Sequence, residues 1–228
     1  MHSGLDVAIS WSGGKDSALA LHRALRQEHE PLFLLTMVNR DAGRSMSHGL
    51  DPALLRAQAQ AMGIPLVSRE VTWESYEEGF KEAVSGLKAE GVLGVVFGDI
   101  DLAGHREWAE RVCHEVEVVP LLPLWGGERR ALLDELVESG FEAIIVAADA
   151  DLLGEEWLGR RIDATSIDEL ARLGEERGID PCGERGEFHT LVTFGPLFRR
   201  RILVLEAEPV LRDGYRFLDI QRFALEQG

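Results

Sequence analysis

Apolar runs alternate with stretches of helical period from Asp6 to about Pro120. The runs at 6–11, 32–38, 65–71, 93–98 and 117–122 read as strands buried in a parallel sheet. Between them, 16–28, 51–62, 75–90 and 103–116 read as helices. Asp51-Pro52 predicts a helix start, because proline at the first helical position lacks only an N–H that would go unused. Gly63 and Gly91 predict helix ends. Such alternation predicts an α/β fold, a doubly wound, mostly parallel five-stranded sheet with right-handed crossovers. Ligands of these sheets bind beyond the carboxyl ends of the strands. The turn after the first strand lies at that edge, as do Thr36, Met37 and Val38 on the second strand and Gly98 and Asp99 after the fourth.

The pattern changes at Pro120, Pro123 and Trp125-Gly126-Gly127, which predicts two domains, 1–125 and 126–228. In the second, 128–139 reads as a helix and Phe141 to Ala147 as a strand. Ser166 to Arg177 reads as a helix, with Ser166 as N-cap and Glu169 completing a capping box. Ile179-Asp180-Pro181 breaks it, and strand-like runs follow at 187–194, 201–206 and 215–224. This half is a smaller α+β domain by pattern.

Composition narrows the function classes. The chain has 228 residues and a formal net charge of −16. A protein whose main partner is a long nucleic acid normally carries a basic face, so the acidic balance argues against one, with Arg129-Arg130 and Arg199-Arg200-Arg201 as local exceptions. No apolar stretch reaches membrane-spanning length, and Asp6 falls too early for a secretory leader. Cys113 and Cys182 form neither a disulfide framework nor a zinc spacing. A cytoplasmic protein without a membrane partner is expected.

The chemistry concentrates in two places. Ser12-Gly13-Gly14-Lys15-Asp16-Ser17 joins the first strand to the first helix. A strand, a glycine turn and a helix start expose backbone N–H groups to one anion, and the helix dipole adds roughly half a positive charge there. Lys15 supplies a point charge, and Ser12 and Ser17 supply hydroxyls, so the stretch reads as a nucleotide phosphate site. The second cluster is Pro181-Cys182-Gly183-Glu184-Arg185-Gly186-Glu187-Phe188-His189-Thr190. Carboxylates and a histidine are what an amide-forming step needs to take a proton from an incoming amine. Further candidates are Asp99, as a Mg²⁺ or ribose contact, His48 in Ser47-His48-Gly49 beside the nucleotide edge, and Arg106 as a contact for an anion. Asp101 reads as a helix cap. Cys113 shares an apolar helix stripe with Trp108, Ala109, Val112 and Val116, and reads as core.

Ser-Gly-Gly-Lys-Asp-Ser at the end of a first strand resembles the PP-loop of the ATP pyrophosphatases, which split ATP between its α and β phosphates. Three blocks together resemble the diphthine–ammonia ligase family: that loop, Gly98-Asp99-Ile100 running on to Cys113 and Pro123-Leu124-Trp125, and Cys-Gly-Glu-x-Gly-Glu-Phe preceded by Trp157-Leu158-Gly159-Arg160. The likeness spans nearly the whole chain. It implies an ATP domain of the adenine-nucleotide α-hydrolase type, with ATP and Mg²⁺ as cofactors. It also implies an AMP-forming ligase that adenylates a carboxylate and amidates it with ammonia. Lys15 and Asp16 would serve the pyrophosphate or the metal, whose ligands are unknown. The adenine would lie against the backbone of Met37 and Val38, and Glu184, Arg185, Glu187, His189 and Thr190 would face the substrate. The chain departs from the family pattern in having Gly186-Glu187-Phe188-His189 for Gly-Glu-Tyr-Glu and His105-Arg106-Glu107-Trp108 for a Tyr-Gln-Arg type. A bacterial branch with Glu-Phe-His-Thr lacks a diphthamide pathway, and corrinoid salvage has been suggested for it. The acceptor expected is therefore a carboxylate-bearing small molecule, such as a corrinoid-salvage metabolite, or a modified protein side chain. Other readings are a tRNA thiolation or modification enzyme and a non-catalytic ATP-binding regulatory module. A homodimer is an open arrangement.

Overall fold

The computed structural model describes residues 4–46 and 48–227, so Ser47 and the first three residues lie outside the described residues. Two compact units are present: Met1–Ser12 with Asp16–Gly126, and Gly13–Lys15 with Gly127–Gly228.

The first unit carries five parallel strands, β1 (Asp6–Ser10), β2 (Glu30–Asn39), β4 (Leu66–Val71), β5 (Gly94–Val96) and β6 (Val119–Leu121). β1 sits between β2 and β5, β4 pairs the outer side of β2, and β6 pairs β5, all parallel. Val7, Ala8, Ile9, Val95 and Val96 are fully buried, which explains their unbroken apolar runs: helices cover both sheet faces. The short β3 (Arg44–Ser45), which the pattern did not signal, runs antiparallel against the far end of β2, where β1 has already stopped. Four helices make the crossovers: α1 (Lys15–Arg26), α2 (Pro52–Met62), α3 (Tyr76–Ala89) and α4 (Ala103–Glu115). Asp51 caps α2 through Ala53 N–H at 2.7 Å, and Gly63 ends it in the left-handed region. The chain therefore winds outward from β1 in one direction, then returns to β5 on its other side. The ends of β1 and β5 flank that reversal, where an open α/β sheet leaves its ligand crevice.

The second unit holds an antiparallel sheet in the order β8 (Phe188–Phe194), β7 (Glu142–Asp149), β10 (Tyr215–Leu225), β9 (Ile202–Arg212), with α5 (Arg129–Glu138) and α6 (Ala164–Arg177). Three expectations need correction. α6 begins nearly one turn earlier than expected: Asp163 is its N-cap and Ser166 its third residue, in a reciprocal box of 3.0 and 2.8 Å. Glu169 instead pairs with Arg160 at 2.6 Å. The carboxylate of Asp163 is the better acceptor for the exposed helix donors and so fixes the start. Leu102, rather than Asp101, takes the N-cap position of α4. β9 runs well past 206 because Asp213-Gly214, both at positive φ (49° and 82°), close a tight hairpin onto β10. Among the described residues, no helix is long and apolar enough to cross a membrane.

Trp11 leads out of β1 and is buried, its indole N–H bonded to the Gln58 side-chain oxygen of α2 at 2.9 Å. Gln58 is itself wholly inaccessible to solvent. Replacing Gln58 with Leu leaves the indole donor buried without that partner, and the expected cost is about 1–3 kcal/mol. Urea denaturation checks it: Trp11→Phe in the Gln58→Leu background should recover part of the loss, whereas a strictly additive double variant would show that the bond does not matter.

Candidate nucleotide and acyl-transfer site

The turn from β1 into α1 is the sequence-predicted phosphate loop. In the first unit, Ser12 and Ser17 hydroxyls lie 3.1 Å apart. Gly98, just after β5, packs on the first turn of α1 so closely that a Cβ would stand 2.8 Å from the Asp16 carbonyl carbon and 2.9 Å from Ser17 N. Only glycine permits that approach, so the ends of β1 and β5 meet around one helix N-terminus. Gly13 has φ +84°, a conformation that side chains rarely adopt.

Gly13–Lys15 belongs to the second unit, and there it is held on the outer edge of β8. Val192 N–H donates to Gly13 O at 2.9 Å, and Lys15 N–H donates to Thr190 Oγ1 at 3.0 Å. The Lys15 ammonium, 3% exposed as a residue, donates to the Cys182 carbonyl and lies 5.2 Å from the Phe188 ring centroid. A buried ammonium needs such partners, since desolvating an isolated charge is costly.

The 180–188 loop that presents this carbonyl is organised by two buried carboxylates. Asp180 takes Arg129 side-on, with Nη2–Oδ2 at 2.8 Å, and its Oδ1 also accepts Cys182 N–H at 2.8 Å. Glu187, expected to face the reacting groups, directs its oxygens to Asp180 N–H (2.9 Å) and Arg185 N–H (3.1 Å). Its own carbonyl accepts Asp149 N–H at 2.9 Å. Tyr215 closes the loop's far side, its hydroxyl donating to Gly186 O at 3.0 Å. Cys182 and Cys113 are buried cysteines outside any disulfide; burial pushes the Cys113 pKa up to about 12, in keeping with a core position. Glu184 is half-buried and Arg185 is exposed.

His189 stacks on Tyr215 with ring centroids 6.4 Å apart. Burial first, and then the Lys15 charge, lower its pKa to about 4, so the imidazole is neutral at pH 7.

The remaining candidates lie in the first unit. Asp99 Oδ1 lies 2.8 Å from His105 Nδ1. Asp99 also adds to burial in raising the Tyr76 hydroxyl to about 12. Arg106 is in the first turn of α4, bonded to Glu110 at 2.6 Å and resting on the Trp125 ring at 5.2 Å. His48 lies half-buried in the turn after β3. Met37 and Val38 are buried in β2; Met46 N–H takes the Met37 carbonyl at 3.0 Å and Val38 pairs with Ser45, so β3 covers the backbone edge expected to meet an adenine.

Sequence reasoning did not single out Arg129, Asp180, His105 or Tyr215 as parts of these clusters. Their residue types carried no distinctive spacing, and the Cys182 carbonyl is a backbone group that no side-chain motif reveals.

The chain matches the family model for the diphthamide synthase N-terminal domain over residues 5–120, and the one for the diphthamide synthase C-terminal domain over 128–225. It is 28% identical over 232 residues to the diphthine–ammonia ligase of Danio rerio, covering 92% of this chain and 90% of that protein. The diphthine–ammonia ligase of Rattus norvegicus is 29% identical over 237 residues (94% and 88%), and that of Homo sapiens 28% over 238 (94% and 88%). Among solved structures, a predicted subunit of tRNA methyltransferase from Methanocaldococcus jannaschii aligns with a TM-score of 0.47 at 17% identity, covering 84% of this chain and 98% of that one. At that level the likeness bears on neither fold nor function.

The neutral His189 gives a signed pH dependence. Between about pH 6.5 and 4 the unfolded chain binds a proton that the folded chain refuses, so stability falls as pH drops through that window. Relative to His189→Gln, the wild type should lose roughly 2–3 kcal/mol more on going from pH 7 to pH 4.5. Urea midpoints at the two pH values measure this, and equal losses in both proteins would contradict it.

Proposed function

Since the chain belongs to the diphthamide synthase family, we propose that it is an ATP-dependent ligase that activates a carboxylate as an acyl-adenylate and transfers the acyl group to ammonia. Relatives named diphthine–ammonia ligase support ATP-dependent amidation at family level. The observation that carries the reading is the turn from β1 into α1. It gathers a glycine at φ +84°, a helix N-terminus, two hydroxyls and an almost wholly buried lysine within the six residues Ser12–Ser17.

In the first step a substrate carboxylate oxygen bonds to the α-phosphorus of ATP, and the bond from that phosphorus to the bridging oxygen breaks, releasing pyrophosphate. Charge builds on the leaving group, and the donors of the loop with the Lys15 ammonium stabilise it; such preorganised electrostatics usually supply the largest part of catalysis. Mg²⁺ would arrive on the phosphates of ATP, where one or two protein carboxylates suffice to hold it; Asp16 and Asp99 are the ones at this edge. In the second step ammonia bonds to the acyl carbon, AMP departs with the electron pair of the broken carbon–oxygen bond, and the nitrogen gives up a proton.

The bonding around the second cluster supports different roles for Glu187 and His189. Glu187 accepts two backbone N–H groups of its own loop, which supports a shaping role. His189 is neutral beside Lys15 and is the group suited to take the proton, its basicity rising as an anionic adenylate approaches. The acceptor is a carboxylate-bearing small molecule or a modified protein side chain. The departures from the pattern the resemblance implies, Phe188-His189 and 105–108, lie outside Ser12–Ser17, which supports the ATP step more than any one acceptor.

Lys15→Met and Asp16→Asn should each lower ATP-dependent pyrophosphate release by about a hundredfold or more. Both variants should keep the wild-type circular dichroism spectrum. Wild-type turnover in the two variants would remove the loop from the reaction.

A further inference from the structure

Resting on the ATP reading above, we infer that Thr190 is a positioning residue for the phosphate loop, acting through Lys15 rather than on the acceptor substrate. Thr190 lies in β8 and is 1% exposed. β8 pairs with β7 along one side, with Thr190 opposite Ile145 and Val192 opposite Ala143. Gly13–Lys15 docks on the other side through two bonds, Val192 N–H to Gly13 O at 2.9 Å and Lys15 N–H to Thr190 Oγ1 at 3.0 Å. The first is a main-chain bond that any residue at 192 other than proline makes. The second depends on the side chain, and only an oxygen at the β-branch of residue 190 supplies it.

Lys15 is the first residue of α1, so its N–H is one of the donors that the helix leaves without an intrahelical partner. Fixing that donor fixes the orientation of the peptide planes that follow it, and those are the planes an anion at the helix N-terminus meets. The same residue is held at its far end. Cys182 O accepts from the ammonium, and Gly183 turns the chain at φ +67° to place that carbonyl. A Cβ on Gly183 would stand 2.7 Å from the Phe188 carbonyl oxygen, so the turn admits no other residue without a shift. Lys15 is thus clamped at backbone and side chain by residues of the 182–190 segment. That clamp gives this segment a hold on phosphate chemistry in addition to any contact with the acceptor. Angular precision of this kind matters most where charge develops in a transition state.

The test compares Thr190→Val, which keeps the branched shape and loses the acceptor, with Thr190→Ser, which keeps the oxygen. Three quantities are read for each and for the wild type: the Kd for ATP with Mg²⁺ by calorimetry, the rate of pyrophosphate release, and the urea midpoint. T190V should bind ATP about tenfold more weakly or release pyrophosphate about tenfold more slowly, while T190S stays within about threefold of wild type. Wild-type binding and release in T190V overturn the inference, as does an equal fall in T190V and T190S, which would mark a packing effect. If T190V does not fold, Thr190→Ala against Thr190→Ser gives the same comparison of one oxygen. Wild-type protein that binds ATP without releasing pyrophosphate sinks the ligase reading alone, since the Kd comparison still decides the role of Thr190. Wild-type protein that does not bind ATP overturns both.

Discussion

A lysine ammonium almost entirely removed from solvent is the constraint on which the second unit depends. Lys15 begins a helix, so its backbone N–H is an orphan donor, and its side chain carries a charge that cannot be buried alone. Both needs are met from one short segment, the hydroxyl of Thr190 for the N–H and the carbonyl of Cys182 for the ammonium. A carbonyl can be aimed only by fixing the backbone that bears it. That explains why the loop before β8 contains two inward carboxylates that bond to its own N–H groups. Asp180 holds Cys182 N–H while pairing with Arg129, and Glu187 holds the N–H groups of Asp180 and Arg185. Glu187, which looks reactive in the sequence, is one of the residues that shape the turn.

The first unit solves a different problem with the same helix. A doubly wound sheet opens a crevice where its winding reverses, between β1 and β5. Gly98 narrows that crevice to a backbone contact by letting the segment after β5 rest on the Asp16–Ser17 peptide. The Trp11–Gln58 bond holds the residue before the loop from the α2 side. The helix start is therefore braced by main-chain contacts and one buried polar pair.

This division also explains what could be read from the chain. The parallel strands were legible because burial on both faces forces unbroken apolar runs, and α2 was legible because Asp51, Pro52 and Gly63 each have a local conformational reason to be there. The turn from β1 into α1 was legible for the same reason, its glycines and helix start being adjacent in sequence. Elsewhere the signal was present and outcompeted. Asp213-Gly214 is a hairpin turn whose strands alternate only partly, so β9 was read short. Ser166 followed by Glu169 fits a capping box, yet Asp163 one turn earlier offers a charged acceptor and takes the role. In the 181–190 cluster the residue types were right for chemistry, but type alone does not separate a carboxylate facing a substrate from one facing its own backbone. The difference lies in the turn geometry at Gly183 and Gly186, which pattern does not encode.

The charge of the whole molecule sharpens the importance of this local geometry. At −16 the protein repels an anion such as ATP at long range, and at physiological ionic strength that field is screened within about 8 Å. Affinity for phosphates must then come from donors in direct contact, where each hydrogen bond depends on angle as well as distance. The site's environment is consistent with that demand. Asp180 pairs with Arg129, the Glu187 carboxylate accepts backbone donors of its own loop, and His189 carries no charge at neutral pH. One cation and one helix terminus must then do what a basic surface does in other nucleotide-binding proteins. In the proposed ATP reading, the segment that clamps Lys15 belongs to the phosphate site together with the glycine turn.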